Sequence, residues 1–482
     1  MLYLTTVALS FALAQVPTIP TPKLTVEPFT FVTADSQRVP AERGRIVVPE
    51  RWERPDGRTI ELTFVRLRST SPNPSAPIVY LAGGPGGSGI ATARGPRMPV
   101  FLRMREVADV IAFDQRGTGG SGSLPCPQPV QLPPETPGTP ERLLQAFREW
   151  SRRCVDHWKG QGVDLAAYHT NASADDLEAL RKALGAEKLS LWSISYGTTL
   201  AMATMRRYPA SIDRVILAGP EPLDAMLKLP QATQQQLVRI DTAVRADSSA
   251  RALVPDLLGL MRTVLARLER EPARVEVTDP RTRQPVTLGI DKFGVQIATA
   301  FQLGDSRGMR RLPAAYLAMS RGDYSGVAPV LLGLRAFNAS AMTFTMDCAS
   351  GASSRRLAEV RRTAPGTLLQ DAANFPFPEI CSEWPHEDLG ESFRAPLRSD
   401  IPTLFIVGTM DGRTPPSNAD EIRPGLTNSE TLTLVGAAHD NDLFLSSPDI
   451  PRVMAAFLKG ERLPMTEIVL PPWKFDFPGG RE

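Results

Sequence analysis

Leu191-Trp192-Ser193-Ile194-Ser195-Tyr196-Gly197 is the stretch from which the rest of the sequence can be read. An apolar run of strand formers, Lys188 to Ile194, stops at Ser195, and a helical pattern begins at once, from Tyr196 to Tyr208. A serine at an abrupt strand-to-helix junction is expected in a strained turn. Such a turn lifts its hydroxyl clear at the C-terminal edge of a parallel sheet. The first N–H groups of the following helix point at the same place, and its dipole favours negative charge there. The pattern is S-x-S-x-G, with Ser193 where such elbows usually carry glycine. Ser193 itself lacks a glycine two positions later, so Ser195 is the candidate nucleophile.

Outward from this junction, short apolar runs end in polar turns. Pro77–Ala82 runs into Gly83-Gly84-Pro85-Gly86-Gly87-Ser88-Gly89, and Val107–Phe113 into Asp114-Gln115-Arg116-Gly117-Thr118-Gly119-Gly120-Ser121. Helical patterns cover Glu141–Lys159 and Ala174–Leu184, the latter capped by Ser173 or Asp175, and Arg214–Ala218 is another short strand. This alternation predicts a mostly parallel, doubly wound α/β sheet. Arg43–Pro49 and Thr59–Ser69 alternate apolar and polar residues as antiparallel edge strands do. The glycine run lacks a G-K-[ST] ending and does not open a helix as G-x-G-x-x-G, so a nucleotide phosphate site is set aside.

The organisation expected is a signal peptide over 1–14, a first sheet segment over 15–220, a helical cap inserted over 221–395, and the rest of the sheet with a tail over 396–482. Residues 15–40 read as a leader running onto the fold, 463–482 as a Pro-rich tail. Gln231–Val244 and Ala252–Leu268 are helical patterns of the cap. The sheet resumes at Thr403–Gly408 and Glu430–Val435, and a helix over Pro451–Leu458 closes the fold. The apolar residues 1–14 end in Ala12-Leu13-Ala14, which places the chain in the secreted or periplasmic class, although the segment carries no Lys or Arg. It is too short for a stable membrane anchor.

The chain has 482 residues with 42% hydrophobic content and a formal charge of +2, which argues against an electrostatic nucleic-acid binder. Its four cysteines, Cys126, Cys154, Cys348 and Cys381, form no C-x-x-C pair. Two disulfides are expected. Three pairings are open, of which neighbour pairing, Cys126–Cys154 and Cys348–Cys381, is the simplest.

Ser195, Asp411 and His439 each fall just after a strand, where α/β sheets place their sites. A serine hydroxyl needs a base near neutral pH, and an imidazole needs a carboxylate to fix its tautomer. Among four histidines, His157 and His169 precede the elbow, and His386 lies in the cap, in a segment that lacks the second histidine of H-E-x-x-H. His439, in Gly436-Ala437-Ala438-His439-Asp440, is the expected base. Asp411 is the expected acid, with Asp440 and Asp420 as rivals. Oxyanion donors are expected from the amides of Tyr196 and Gly84, with Gly83 as second choice.

Gly83-Gly84-Pro85-Gly86-Gly87, Asp114-Gln115-Arg116-Gly117-Thr118-Gly119, Ser195-Tyr196-Gly197 and Gly408-Thr409-Met410-Asp411 with Thr414-Pro415-Pro416 resemble the secreted α/β-hydrolases of the proline iminopeptidase and tripeptidyl aminopeptidase family. The resemblance covers nearly the whole chain after the leader. It departs at Ala82, where the family's loop opens with histidine, and at Ser193. It implies an α/β-hydrolase fold, an acyl-enzyme on Ser195 and removal of an N-terminal residue or short peptide, with no cofactor and no metal. Carboxylates to hold the substrate's ammonium group are then sought at Glu221, Asp347, Glu379 and Glu383. The partner expected is a small peptide or ester. A carboxylesterase on the same fold and a non-catalytic binding protein are the competing readings.

Overall fold

The computed structural model describes residues 19–279 and 282–477. The export segment expected over 1–14 lies outside the described residues.

The described strands, in chain order, are β1 (Leu24–Val32), β2 (Arg38–Pro49), β3 (Thr59–Leu67), β4 (Ile78–Leu81), β5 (Val110–Phe113), β6 (Leu189–Ile194), β7 (Ile212–Ala218), β8 (Ala273–Thr278), β9 (Pro285–Ile290), β10 (Thr403–Gly408), β11 (Ser429–Val435) and β12 (Glu467–Val469). Ten of them form one sheet in the order β1-β2-β3-β5-β4-β6-β7-β10-β11-β12. The first three pairings are antiparallel, and from β5 to β12 every pairing is parallel. This is the α/β-hydrolase arrangement the sequence implied.

The central strands β4, β5, β6 and β10 are buried at every position. Helices cover both sheet faces, so each strand reads as a continuous apolar run. The pleat divides these residues between two cores. Val79, Leu81, Ile111, Phe113, Leu191 and Phe405 pack on one face. Ile78, Tyr80, Val110, Ala112, Trp192 and Leu404 pack on the other. Trp192 anchors the second core, its ring centroid 4.7 Å from those of Tyr80 and Phe101.

Three local readings are corrected. Residues 24–32 of the expected leader are strand β1, paired along its length with β2, which itself starts at Arg38. The Pro-rich tail contributes β12, and its Trp473 donates to the Gly436 carbonyl at 2.7 Å. The helix expected from Ala174 spans Thr170–Ala183, and its cap is neither Ser173 nor Asp175 but His169, whose Nδ1 accepts from the Ala172 amide at 3.1 Å. Histidine is a rare cap, so propensity alone misses it.

Between β7 and β10 the chain leaves the sheet. Helices Pro230–Ala246, Leu257–Arg270, Lys292–Gln302, Ser306–Ser320 and Ala341–Ser350 lie in this stretch. So does the β8–β9 hairpin, which the sequence reading did not find. Much of it packs around a third core of its own, joined by Met410, Ala438 and Phe475 from the sheet's last segment. Two disulfides, Cys126–Cys154 and Cys348–Cys381, realise the neighbour pairing. Each closes a loop of about 30 residues, worth about 3–4 kcal/mol on the chain-entropy account.

Candidate active site

β6 ends at Ile194, and Ser195 turns the chain into helix Tyr196–Arg207 with φ 54° and ψ −130°. A positive φ on a non-glycine residue is held only where the surroundings over-determine it. Here the Ser195 amide donates to the Ala218 carbonyl of β7 at 3.1 Å, and its own carbonyl accepts from the Thr198 amide at 2.7 Å. The turn also needs room. A Cβ on Gly197 would lie 2.3 Å from the Leu81 carbonyl oxygen, and one on Gly83 would lie 2.9 Å from the Ser195 Cβ. Ser193 is fully buried within β6, where its hydroxyl donates to the Ile216 carbonyl at 2.6 Å. The serine that replaces the usual elbow glycine is therefore satisfied inside the sheet, which leaves Ser195 as the serine facing the site.

Asp411 follows the end of β10 and is completely buried. Its Oδ1 accepts from the amides of Arg413 and Thr414, each at 2.8 Å. Its Oδ2 accepts from the Thr414 hydroxyl and from His439 Nδ1, each at 2.7 Å. Burial pushes this carboxyl up, but the adjacent His439 and the bonds from Thr414 outweigh it and hold the group below the usual aspartate value. A carboxylate on Nδ1 assigns the proton there and leaves Nε2 free to accept. The rivals are turned elsewhere: Asp440 to Arg97, Asp420 to Arg423.

Ser195 and His439 both lie against the end of β7. Ala218 accepts the Ser195 amide, and at the next residue, Gly219, a Cβ would stand 2.9 Å from Cε1 of the His439 ring. No hydrogen bond joins the Ser195 hydroxyl to the ring among the described residues. His439 is held by Asp411 on its Nδ1 side. The other histidines lie apart. His157 bonds Gln161, His386 the Trp384 carbonyl, and His169 is a helix cap.

Tyr196 is the first residue of its helix, so its amide is among those without an intrahelical acceptor. Gly84 adopts φ +128°, and the amides of Gly83 and Gly84 have no acceptor among the described residues. The second glycine-rich turn braces this loop. Asp114 Oδ1 accepts from the Ser88 hydroxyl at 2.6 Å, and Gln115 donates to the Ala82 carbonyl at 3.2 Å.

Two further residues lie around these groups that the sequence reading did not find. Thr343, from helix Ala341–Ser350, donates to the Pro85 carbonyl at 2.9 Å. Arg97, only 3% exposed, donates to Tyr80 at 2.6 Å and to Asn441 at 2.9 Å, and is ion-paired with Asp440. Asp440 and Asn441 directly follow His439, and Asp440 has φ 61°. Arg97 thus clamps the strained loop that carries the imidazole. Neither residue leaves a sequence signal, because each acts across more than 200 residues of chain.

Gly84 and Tyr196 open onto a cavity of about 160 Å³ that is also lined by Glu221, Lys228, Asp347 and Arg413. Glu221 and Lys228 pair at 2.9 Å. Asp347 is half-buried and its carboxylate has no hydrogen-bond or ion-pair partner among the described residues. Burial, and then the neighbouring Glu221, push it well above the ordinary aspartate value. Of the other acidic candidates, Glu383 is paired with Arg152 at 2.8 Å, and Glu379 lines a separate groove with Asp371 and Phe293. No group of three or more His, Cys, Asp or Glu placed to hold a metal is present among the described residues.

A family model described as the alpha/beta hydrolase fold matches residues 76–443. The chain belongs to that family. It is 26% identical over 459 residues to the serine protease Hip1 of Mycobacterium tuberculosis, covering 87% of this chain and 85% of Hip1. It is 29% identical over 190 residues to the tripeptidyl aminopeptidase of Streptomyces coelicolor, covering 37% of this chain and 35% of that one. Among solved structures, proline iminopeptidase from Mycobacterium smegmatis aligns with a TM-score of 0.38 at 16% identity, over 83% of this chain and 95% of that one.

Proposed function

We propose that this α/β-hydrolase is an exported serine aminopeptidase that works through an acyl-enzyme on Ser195. The observation that carries the reading is Asp347, a carboxylate without a partner in the cavity beside the elbow. A desolvated carboxylate left unpaired is costly, and a ligand ammonium is its natural complement. Kinship to proteins named serine protease and tripeptidyl aminopeptidase supports a peptide substrate.

In this reading Ser195 Oγ attacks the scissile carbonyl while His439 Nε2 takes its proton. Asp411 stabilises the imidazolium that forms. The tetrahedral oxyanion accepts from the amides of Tyr196 and Gly84, each donor worth about 3–4 kcal/mol. Protonated His439 then donates to the leaving amine, and water, activated by the same ring, cleaves the ester. Residues 221–395 serve as a cap over the C-terminal edge of the sheet, supplying Glu221 and Asp347. Two disulfides in one chain fit maturation in an oxidising compartment.

The test compares aminoacyl and peptidyl p-nitroanilides with their N-acetylated counterparts and with p-nitrophenyl esters. Acetylation is expected to abolish anilide cleavage. If acetylated and free substrates are cleaved alike, the aminopeptidase reading fails. If only the esters are cleaved, the protein is a carboxylesterase.

A further inference from the structure

The cavity beside the elbow carries one unpaired charge of each sign. Glu221 and Lys228 satisfy each other, whereas Asp347 and Arg413 have no side-chain partner among the described residues. Arg413 is half-buried, and its position is built rather than incidental. Its backbone amide is bonded to Asp411 Oδ1 at 2.8 Å, two residues from the acid of the catalytic array. Its aliphatic stem lies against Gly304, where a Cβ would stand 2.1 Å from the Arg413 Cγ. The Gly412 amide is tied to the Leu303 carbonyl at 3.1 Å, which docks the two loops together. The stem has thus given up much of its freedom while the guanidinium has gained no acceptor, which is costly unless something else supplies one. A guanidinium fork matches a carboxylate in two parallel bonds.

We propose that Arg413 is a carboxylate-binding subsite, so that the preferred substrate is a free-amine peptide bearing a carboxylate close to the scissile bond. That carboxylate comes either from the substrate's own C-terminus or from an acidic side chain. The proposal rests on the aminopeptidase reading above. Asp347 receives the ammonium end and Arg413 the anionic end, so the cavity is matched to a ligand that carries both charges.

The experiment joins the N-terminal unit preferred among the anilides to alanine amide, to alanine and to glutamate α-amide, and follows release of that unit. The wild type is expected to favour one of the two acid-bearing substrates over the alanine amide by about tenfold in kcat/KM, equivalent to about 1.4 kcal/mol. The free-acid arm identifies a C-terminal carboxylate and the glutamate arm an acidic side chain. Arg413→Gln is expected to erase that ratio, chiefly through KM, and Arg413→Lys to restore part of it. The subsite is disproved if the wild type shows no preference for an acid, or if Arg413→Gln slows all three substrates alike. Loss of cleavage of every free-amine substrate with esterase activity retained would instead bring down the aminopeptidase reading on which the subsite rests.

Discussion

Two charged regions of the molecule are built on opposite rules. At the first, Arg116 and Asp176 are both fully buried, and every charged atom is occupied. Arg116 donates to both carboxylate oxygens of Asp176 at 2.7 and 2.6 Å, and to the carbonyls of Glu50 and Ala167. Trp52 adds a third donor to Asp176 at 3.1 Å. At the second, Asp347 and Arg413 line a cavity and neither makes a side-chain hydrogen bond or ion pair among the described residues. A buried charge is tolerated when its partners come from the protein. Where they do not, the group is kept at a cost to stability, and the partner to look for is a ligand.

This contrast can be broken or sharpened by measurement. The largest effect is expected for Ser195→Ala, which should lower kcat by at least about 10⁴-fold while leaving the thermal midpoint within a few degrees; activity near wild type would remove the mechanism. Asp176→Ala strands the buried guanidinium of Arg116 and should destabilise the fold by about 3–5 kcal/mol, read by urea unfolding. Asp347→Asn should do the reverse. We expect KM for free-amine substrates to rise about 10–100-fold, with stability unchanged or improved, because the change removes an unpaired carboxylate. If Asp347→Asn destabilises as Asp176→Ala does, the distinction between the two regions is false.

The pH dependence has a definite sign at each aspartate. The folded-state value of Asp347 is raised, so its drag on stability sets in as pH rises above the unfolded aspartate value of 3.8 toward the raised one. Asp347→Asn should flatten that slope, and in the wild type KM for amines should climb as acid neutralises the carboxylate. Asp411 is lowered, so its contribution is complete above 3.8 and is lost as pH falls through the folded value.

Smaller effects test the supports. Arg97→Met frees the loop after His439 and should lower kcat by about tenfold with little change in KM, with Arg97→Lys recovering part of it. A role confined to packing would instead lower thermal stability and leave the pH profile of kcat unmoved. His169, pushed down to about 3 by burial and by Arg116 and Arg207, caps its helix as a neutral ring. Its contribution is therefore lost as pH falls from the ordinary histidine value of 6.5 toward about 3. His169→Asn, which keeps an acceptor at the cap, should leave stability at pH 8 within about 1 kcal/mol and reduce the acid sensitivity in that window.

Much of this was legible in the chain because it is local. Apolar runs ending in glycine or in a polar turn marked β4, β5, β6 and β10, since burial on both faces demands continuous hydrophobic stretches. The abrupt change of period at Ser195 marked the elbow, and a short list of histidines after strands marked His439. Neighbouring cysteines paired as the simplest arrangement suggested. Readings failed where local composition was misleading. Proline and threonine disguised β1 as a leader, although pairing with β2 supplies the hydrogen bonds that make it a strand.

What the order of residues determined by itself was periodicity, and with it the layered sheet and the residues that stand at its C-terminal edge. Only tertiary structure decided which charges are spent on the protein and which are left over. Glu221, Glu379, Glu383 and Asp347 look alike as sequence, yet Glu221 and Glu383 find cations, Glu379 opens elsewhere, and Asp347 has no ion-pair partner among the described residues. Pairing depends on distance in space: Glu221 meets Lys228 7 residues away, whereas Glu383 meets Arg152 across 231 residues. No pattern along the chain encodes that separation.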